Sequence, residues 1–143
     1  MTVRQLSAFI ENKQGKLGEV LGVLRDNNVN MLSISLADTT EYGLLRLIVD
    51  APEAGRDALI GAGYSGMLTK VLVLKVAHTA GALQNILDVV SDEGISIEYM
   101  YGLTIEGNSA YIVMKTNQLD EAEALFAKHG IMTASEEELA GKA

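Results

Sequence analysis

The sequence GKLGEVLGVLRD occupies residues 15–26, and GALQNILDVVSD at residues 81–92 repeats its pattern. In both segments glycine stands first, leucine stands third, and apolar residues recur at helical spacing. The apolar positions are Leu17, Val20, Leu21 and Leu24 in the first segment and Leu83, Ile86, Leu87 and Val90 in the second. Each segment is therefore predicted to form an amphipathic helix, and the chain is predicted to contain two copies of one unit.

The repeat extends beyond these helices at an offset of about 66 positions, because Leu6 matches Leu72 and Leu59 matches Leu125. We therefore divide the 143 residues into domains at 1–70 and 71–143. A unit of about 70 residues buries only a marginal core. We expect the two units to be stabilised by each other or by a second chain.

Each unit reads in the order strand, helix, strand, strand, helix, strand. The predicted strands are residues 5–10, 30–37, 44–49 and 66–69 in the first unit and 71–76, 96–103, 110–115 and 131–134 in the second, with hairpin turns at 39–43 and 106–108. This order predicts an α+β fold of two ferredoxin-like βαββαβ units in tandem, with antiparallel sheets that carry their helices on one face.

The ends of the helices carry the residues that typically cap them. Asn28 and Gly94, at matching positions, suit the left-handed conformation that closes the first helix of each unit. In the first unit Asp50 is a candidate cap for the second helix, Pro52 suits its first turn, and Gly63 is expected to end it.

The third strand is apolar on both of its faces. Leu45, Leu47 and Val49 point one way, whereas Leu44 and Ile48 point the other. We therefore expect the sheet face without helices to be covered by the companion repeat, by a second chain, or by both. In the same strand Arg46 is expected to have a carboxylate partner, either Asp38 or a ligand.

Composition excludes several classes of function. The formal net charge of -8 and the pI near 4.7 disfavour nucleic acid as a partner, and no apolar run is long enough for a membrane span. We identify no export signal, so a cytoplasmic location is expected. The absence of cysteine excludes disulfides, thiolate metal sites and cysteine nucleophiles but does not determine the redox compartment. The acidic run at residues 136–138 is interpreted as a solvated tail.

No catalytic or metal-binding constellation is evident in the sequence. His78 and His129 lie in different contexts, and no nucleophile or paired acid and base is defined by position. We therefore expect no enzyme activity, no metal and no cofactor.

The loop before the first helix has the features of a small ligand site. It comprises Glu11, Asn12, Lys13, Gln14, Gly15, Lys16 and Leu17. A loop that leads into a helix N-terminus presents free N–H groups to an anion such as a carboxylate. The side chains of Asn12 and Asn30 offer amides to the carboxylate and ammonium groups of a free amino acid. Asparagine and glycine are also common turn residues, so a purely structural role is the alternative.

At these residues the sequence resembles the ACT domain family, small βαββαβ modules that bind amino acids and regulate metabolism. The family motif is Asn or Asp, then Pro-Gly, then Leu at the start of the first helix, with an Asn-Ile pair opening the second strand. The matching residues are Asn12, Gly15, Leu17, Asn30 and Met31. The resemblance covers nearly the whole chain, twice, and implies an amino-acid site at the boundary between ACT units.

Both repeats depart from the family motif. Gln14 and Ala80 replace the proline, so the loops are expected to be less rigid. The second repeat keeps Gly81 and Leu83 but has His78 and Ser96 at the asparagine positions. That half therefore binds a different ligand or only completes the first site.

The sequence thus supports two hypotheses. In the first, the protein is a non-enzymatic sensor that binds a free amino acid between ACT units and forms a homodimer through its sheets or helices. In the alternative, it is a ligand-free dimerisation or docking module that regulates an enzyme of amino-acid metabolism in trans.

Overall fold

The computed structural model describes residues 1–38 and 41–142. The strands are β1 (Val3–Glu11), β2 (Met31–Asp38), β3 (Tyr42–Val49), β4 (Met67–Ala77), β5 (Tyr99–Glu106), β6 (Ser109–Lys115) and β7 (Met132–Thr133). The helices are α1 (Lys16–Asp26), α2 (Pro52–Gly61), α3 (Ala82–Asp92), α4 (Leu119–Lys128) and α5 (Glu136–Ala140). Part of the predicted hairpin turn at 39–43, residues 39 and 40, lies outside the described residues.

The chain forms two compact units. The first unit contains Arg4 to Thr69 and the segment from Glu136 onward, and the second contains Met1 to Val3 and Lys70 to Ser135. The strands predicted separately at residues 66–69 and 71–76 are one uninterrupted strand, β4. No glycine or proline interrupts residues 67–77, so nothing local ends the strand between the two predicted segments.

Each unit has the predicted ferredoxin-like topology. In the first unit β1 and β2 both pair with β3 in antiparallel register, with Leu6 opposite Leu47 and Ile34 also opposite Leu47. In the second unit β4 and β5 pair with β6, and β7 pairs with the other side of β4. The predicted α+β fold is therefore confirmed.

The helices pack on one face of each sheet. In the first unit, alternate residues of β1 and β3, among them Leu6 and Leu47, form one core with Val20 of α1 and Leu59 of α2. In the second unit the core again combines alternate strand residues with the apolar positions of α3 and α4. The helical spacing seen in the sequence thus identifies the buried side of each helix.

The capping residues predicted for the helix ends are confirmed at two positions and wrong at a third. Asn28 and Gly94 adopt the predicted left-handed conformation, with φ of 56° and 72°. The prediction for Asp50 was wrong, because Ala51 is the N-cap of α2 and no side chain caps it. Asp50 Oδ1 instead accepts a hydrogen bond of 2.9 Å from the backbone N–H of Asn30, which joins β2 to the end of β3.

The sheet face without helices is partly covered by the chain itself. Ile48, predicted to lie on this face, is 1% exposed, and Gln5 on the same face is fully buried. Phe9 on that face remains 53% exposed. That a second chain buries the exposed part of this sheet face therefore remains a prediction.

The interpretation of the acidic run as a solvated tail was wrong. These residues begin α5, in which Leu139 is 1% exposed. The guanidinium of Arg4 in β1 donates to both carboxylate oxygens of Glu136 and also to Glu53 at the start of α2. The backbone N–H of Arg4 donates to Glu136 as well, at 2.8 Å. Arg4 thereby links three elements of the first unit.

Replacing Gly55 with alanine is expected to destabilise the fold by about 1–3 kcal/mol through overpacking. An added Cβ would lie 2.9 Å from Leu6 Cδ2 and 3.5 Å from Val29 Cγ1. The matched control is Gly61→Ala in the same helix, because nothing lies within 4 Å of its added Cβ. Urea denaturation followed by circular dichroism measures both changes, and an equal loss in the two variants would contradict the close packing at Gly55.

The Arg4–Glu136 pair is expected to make stability depend on pH. The hydrogen bonds from Arg4 lower the pKa of Glu136 below 4.5. A carboxyl with a lowered pKa stabilises the fold above its unfolded value, and the stabilisation is lost as the pH falls through the folded value. Glu136→Gln is therefore expected to cost about 1 kcal/mol at neutral pH, and the cost should shrink below pH 4.5.

The control for this experiment is Glu137→Gln, because Glu137 is the exposed neighbour in α5. Denaturation at neutral and acidic pH compares the two variants. A difference between them that does not change with pH would argue that Glu136 acts through packing and not through its charge.

Candidate functional site

The turn from the first strand to the first helix has the same backbone in both repeats. Asn12 N–H donates to Glu41 O and Lys13 N–H to Glu11 O, while Lys16 N–H donates to Lys13 O. The second repeat has the matching bonds from His78 to Asn108, from Thr79 to Ala77 and from Ala82 to Thr79. Gly15 and Gly81 precede the helices with φ of 86° and 83°, in the left-handed region that glycine tolerates best.

A cavity of about 220 Å³ lies beside this turn in the first unit. It is lined by Ile10, Glu11, Asn12, Lys13, Leu17, Leu36, Asp38 and Gly43. The predicted loop residues Asn12, Lys13 and Leu17 are therefore brought together, and their neighbours are the last residues of β2 and the first of β3. A regular helix offers the amides of Leu17 and Gly18 no acceptor of its own.

The polar groups of this cavity are arranged in pairs. Asn12 Nδ2 donates a hydrogen bond of 2.8 Å to Asp38 Oδ1. Lys13 Nζ lies 2.9 Å from Glu11 Oε2, and the hydrogen bond from Lys13 lowers the pKa of Glu11. Asp38 was not foreseen as a neighbour of Asn12. Its position at the end of the predicted hairpin, beside the end of the first strand, was the signal that could have found it.

Lys16 faces a neighbouring cavity, whose volume is about 530 Å³. Its ammonium lies 3.3 Å from Glu19 Oε2, which also accepts a hydrogen bond of 2.9 Å from the Tyr64 hydroxyl. The bonds from Tyr64 and Lys16 lower the pKa of Glu19. Gln14 and Gly15 are exposed and line neither this cavity nor the Asn12 cavity.

Asn30 and Met31 do not share the Asn12 cavity. They line a third cavity of about 380 Å³ together with the end of α1. β1 and β2 both run antiparallel to β3, so Asn12 follows the end of one strand and Asn30 precedes the start of a parallel one. The two asparagines of one unit therefore lie at opposite ends of its sheet.

Arg46 lies in the middle of β3, opposite Ser7 of β1 and Ser35 of β2. Asp38, which the sequence suggested as its partner, lies at the end of the hairpin opposite Gly43 and accepts the bond from Asn12.

The candidate residues of the second repeat also lie at opposite ends of their sheet. His78 lines a cavity of about 470 Å³ over β5 and β6, whereas Ser96 lies at the other end of the sheet. There Ser96 N–H donates to Gln118 Oε1, and Ser96 O accepts from the Thr116 hydroxyl. Leu83 packs against the core, and Gly81 caps α3.

Within residues 1–38 and 41–142, no group of three or more His, Cys, Asp or Glu side chains is placed to hold a metal ion. The helices of this same part of the chain are also too short or too polar to cross a membrane.

Comparison with known proteins agrees with the fold. The sequence matches the family described as the ACT domain pair over residues 1–142. The solved structure of protein BT0572 from Bacteroides thetaiotaomicron is 31% identical, covers 98% of this chain and 96% of its own, and superposes with a TM-score of 0.93. No match was found among curated proteins.

Two structures of aspartate kinase systems share the fold at lower identity. The ligand-free regulatory subunit of aspartate kinase from Thermus thermophilus is 11% identical, with a TM-score of 0.62 over 89% of this chain and 93% of its own. Aspartokinase III from E. coli, solved with lysine and aspartate, is 14% identical, with a TM-score of 0.52 over 90% of this chain and 30% of its own.

The two βαββαβ units and their glycine turns define a tandem of small α+β modules. The chain belongs to the ACT domain pair family.

Proposed function

We propose that this protein is a non-enzymatic regulatory protein that binds a free amino acid where two ACT units meet. The cavity at the Asn12 turn carries this proposal, because it combines a helix N-terminus, an amide and charged groups of both signs. Binding of the amino acid is proposed to change how the units pack, and so to signal its concentration to an enzyme of amino-acid metabolism.

The groups around this cavity are complementary to a zwitterion. Asp38 and the carbonyl oxygen of the Asn12 side chain are acceptors for an ammonium group. Lys13 and the first amides of α1 are donors for a carboxylate. The volume of about 220 Å³ is below the usual range for drug-sized ligands, which favours a small amino acid.

The site requires a second copy of the unit if both asparagines are to touch the ligand. Asn30 and Asp38 are eight positions apart, which corresponds to roughly 25 Å along an extended strand. A free amino acid is much shorter than this distance. Asn12 of one copy must therefore act with Asn30 of another.

The edge of the first unit offers a way to bring these residues together. The strand order places β2 at an edge, and Met31, Ile34 and Leu36 are 37%, 41% and 48% exposed along it. Antiparallel pairing of β2 with β2 of a second copy, about a two-fold axis, would place the partner's Asn30 near Asp38 and Asn12. It would also cover these apolar side chains.

The exposed apolar side chains of β2 also favour the alternative function, a dimerisation or docking module without a ligand. The two functions differ in their response to amino acids and to changes at Asn12.

Thermal-shift assays with the standard amino acids at millimolar concentration are expected to show stabilisation by at least one of them, since a ligand that binds only the native state raises its stability. Asn12→Ala is expected to weaken binding about tenfold, the effect of one or two lost hydrogen bonds. The control is Asn85→Ala, an exposed asparagine of α3. Stabilisation by none of the amino acids would remove the ligand from the proposal and leave the docking module.

A mixing experiment is expected to test the shared site. Homodimers of Asn12→Ala and of Asn30→Ala each lack an intact site. In an equimolar mixture, half of the dimers carry one copy of each, and one of their two sites is intact, so about a quarter of the sites should bind again. Titration calorimetry measures this fraction. No recovery on mixing, or a concentration-independent monomer in analytical ultracentrifugation, would contradict a site shared between copies.

A further inference from the structure

The matching cavity of the second unit is larger and differs in chemistry from the Asn12 cavity. Its volume is about 470 Å³, compared with about 220 Å³ in the first unit. It is lined by His78, Gly102, Leu103, Thr104, Ile105, Ala110, Tyr111 and Ile112. Two substitutions between the repeats account for the difference.

The first substitution opens the cavity. Leu36 and Gly102 occupy matching positions in their sheets. Leu36 and Ala8 both pair with one residue of β3, and Gly102 and Leu74 both pair with one residue of β6. Ala8 and Leu74 are themselves matching residues of the two repeats. In the first unit the Leu36 side chain fills this space, since its Cδ1 would lie 3.0 Å from a Cβ added at Gly43. A Cβ added at Gly102 would meet nothing within 4 Å. The missing leucine side chain therefore leaves open space over Gly102.

The second substitution removes the acidic group. The register of β5 shifts between Gly102 and Thr104, so Ile105 occupies the place that Asp38 has in the first unit. Asp38 pairs with the same residue of β3 as Ile10 does, and Ile105 pairs with the same residue of β6 as Val76 does, where Ile10 and Val76 match in the repeat. Ile105 is 59% exposed. An apolar surface thus replaces the group that suits an ammonium.

The polar side chain that remains at the end of β4 is that of His78. Thr104 pairs with Tyr111 and Ile105 pairs with the next residue, Ala110, so the Thr104 side chain lies on the opposite face of the sheet from Ile105. The imidazole of His78 donates a hydrogen bond in either of its charge states. Among the described residues that line this cavity, none is an aspartate or a glutamate, so a ligand ammonium would have no counter-charge there. A carboxylate only accepts hydrogen bonds and so matches this donor.

We propose that the second unit holds a separate site for a small aliphatic carboxylate without an α-ammonium group. Its carboxylate is bound by His78, and its alkyl chain occupies the space over Gly102 against Ile105 and Ile112. This goes beyond the amino-acid site of the first unit. It makes the two halves of the tandem receptors for two chemically different molecules.

The test uses two probes that differ only in the ammonium group, isocaproate and L-leucine. Titration calorimetry is done on the full chain carrying both Asn12→Ala and Asn30→Ala, so that the amino-acid site is weakened at both of its asparagines. Isocaproate is expected to bind at least about tenfold more tightly than L-leucine. L-leucine binding as tightly as isocaproate, or no binding of isocaproate, would overturn the proposal whatever the outcome for the first unit.

Two variants then locate the site. Gly102→Leu restores the side chain of the first repeat in open space and is expected to reduce isocaproate affinity at least about tenfold without loss of thermal stability. Ile105→Asp, at an exposed position, replaces an apolar contact of the alkyl chain by the carboxylate that Asp38 supplies in the first unit, so it is expected to weaken isocaproate binding in favour of L-leucine. Isocaproate binding that neither variant alters would also overturn the proposal, because the ligand would then lie elsewhere.

Discussion

The left-handed turn at Gly15 and Gly81 is the constraint on which both units depend. A residue with a side chain is strained at φ near 85°, whereas glycine is not. This conformation lets the chain pass from the first strand to the first helix within a few residues. The same backbone hydrogen bonds hold both turns, although most of their side chains differ. The turn directs the apolar positions of α1 and α3 onto the sheet. It also places the first helical amides beside the end of the hairpin.

The turns are held by backbone hydrogen bonds that do not depend on the side chains, and this explains how the repeats could diverge. The core residues and the turn glycine recur because the packing of helix on sheet requires them. The cavity positions Asn12, Leu36 and Asp38 do not contribute to the core, so they are free to change. Asn12 is matched by His78, and Leu36 by Gly102. The fold is therefore duplicated, while the proposed ligands differ.

The helix α5 adds a constraint within the first unit. Glu136 forms three kinds of bond with Arg4, to its backbone N–H, to Nε and to NH2. Charge-assisted bidentate pairs of this type fix geometry as well as contribute energy. Arg4 also reaches Glu53, so the start of α2 and the start of α5 are held by one side chain. The position of Arg4 at the beginning of β1 ties α5 to the strand that leads to the Asn12 turn.

Local sequence was sufficient for the repeat, the buried helix faces and the order of elements as far as β7, except that it divided β4 into two strands, and it missed α5. The spacing of apolar residues predicts which side of a helix is buried. Asn28 and Gly94 predict a positive φ, which few other residue types adopt. The partners of Asp38, Asp50 and Glu136 were decided by the tertiary structure alone. Asp50 bonds to a strand 20 positions earlier and Glu136 to an arginine 132 positions earlier.

The same division applies to the candidate site. Asn12, Lys13 and Leu17 are neighbours in sequence, so one loop motif was enough to group them. Only strand pairing could place Asp38 beside Asn12 and Asn30 at the far end of the sheet. A register shift of one residue in β5 replaces the acidic position by Ile105. Such pairings depend on hydrogen bonds between distant segments, and periodicity along a single segment carries no information about them.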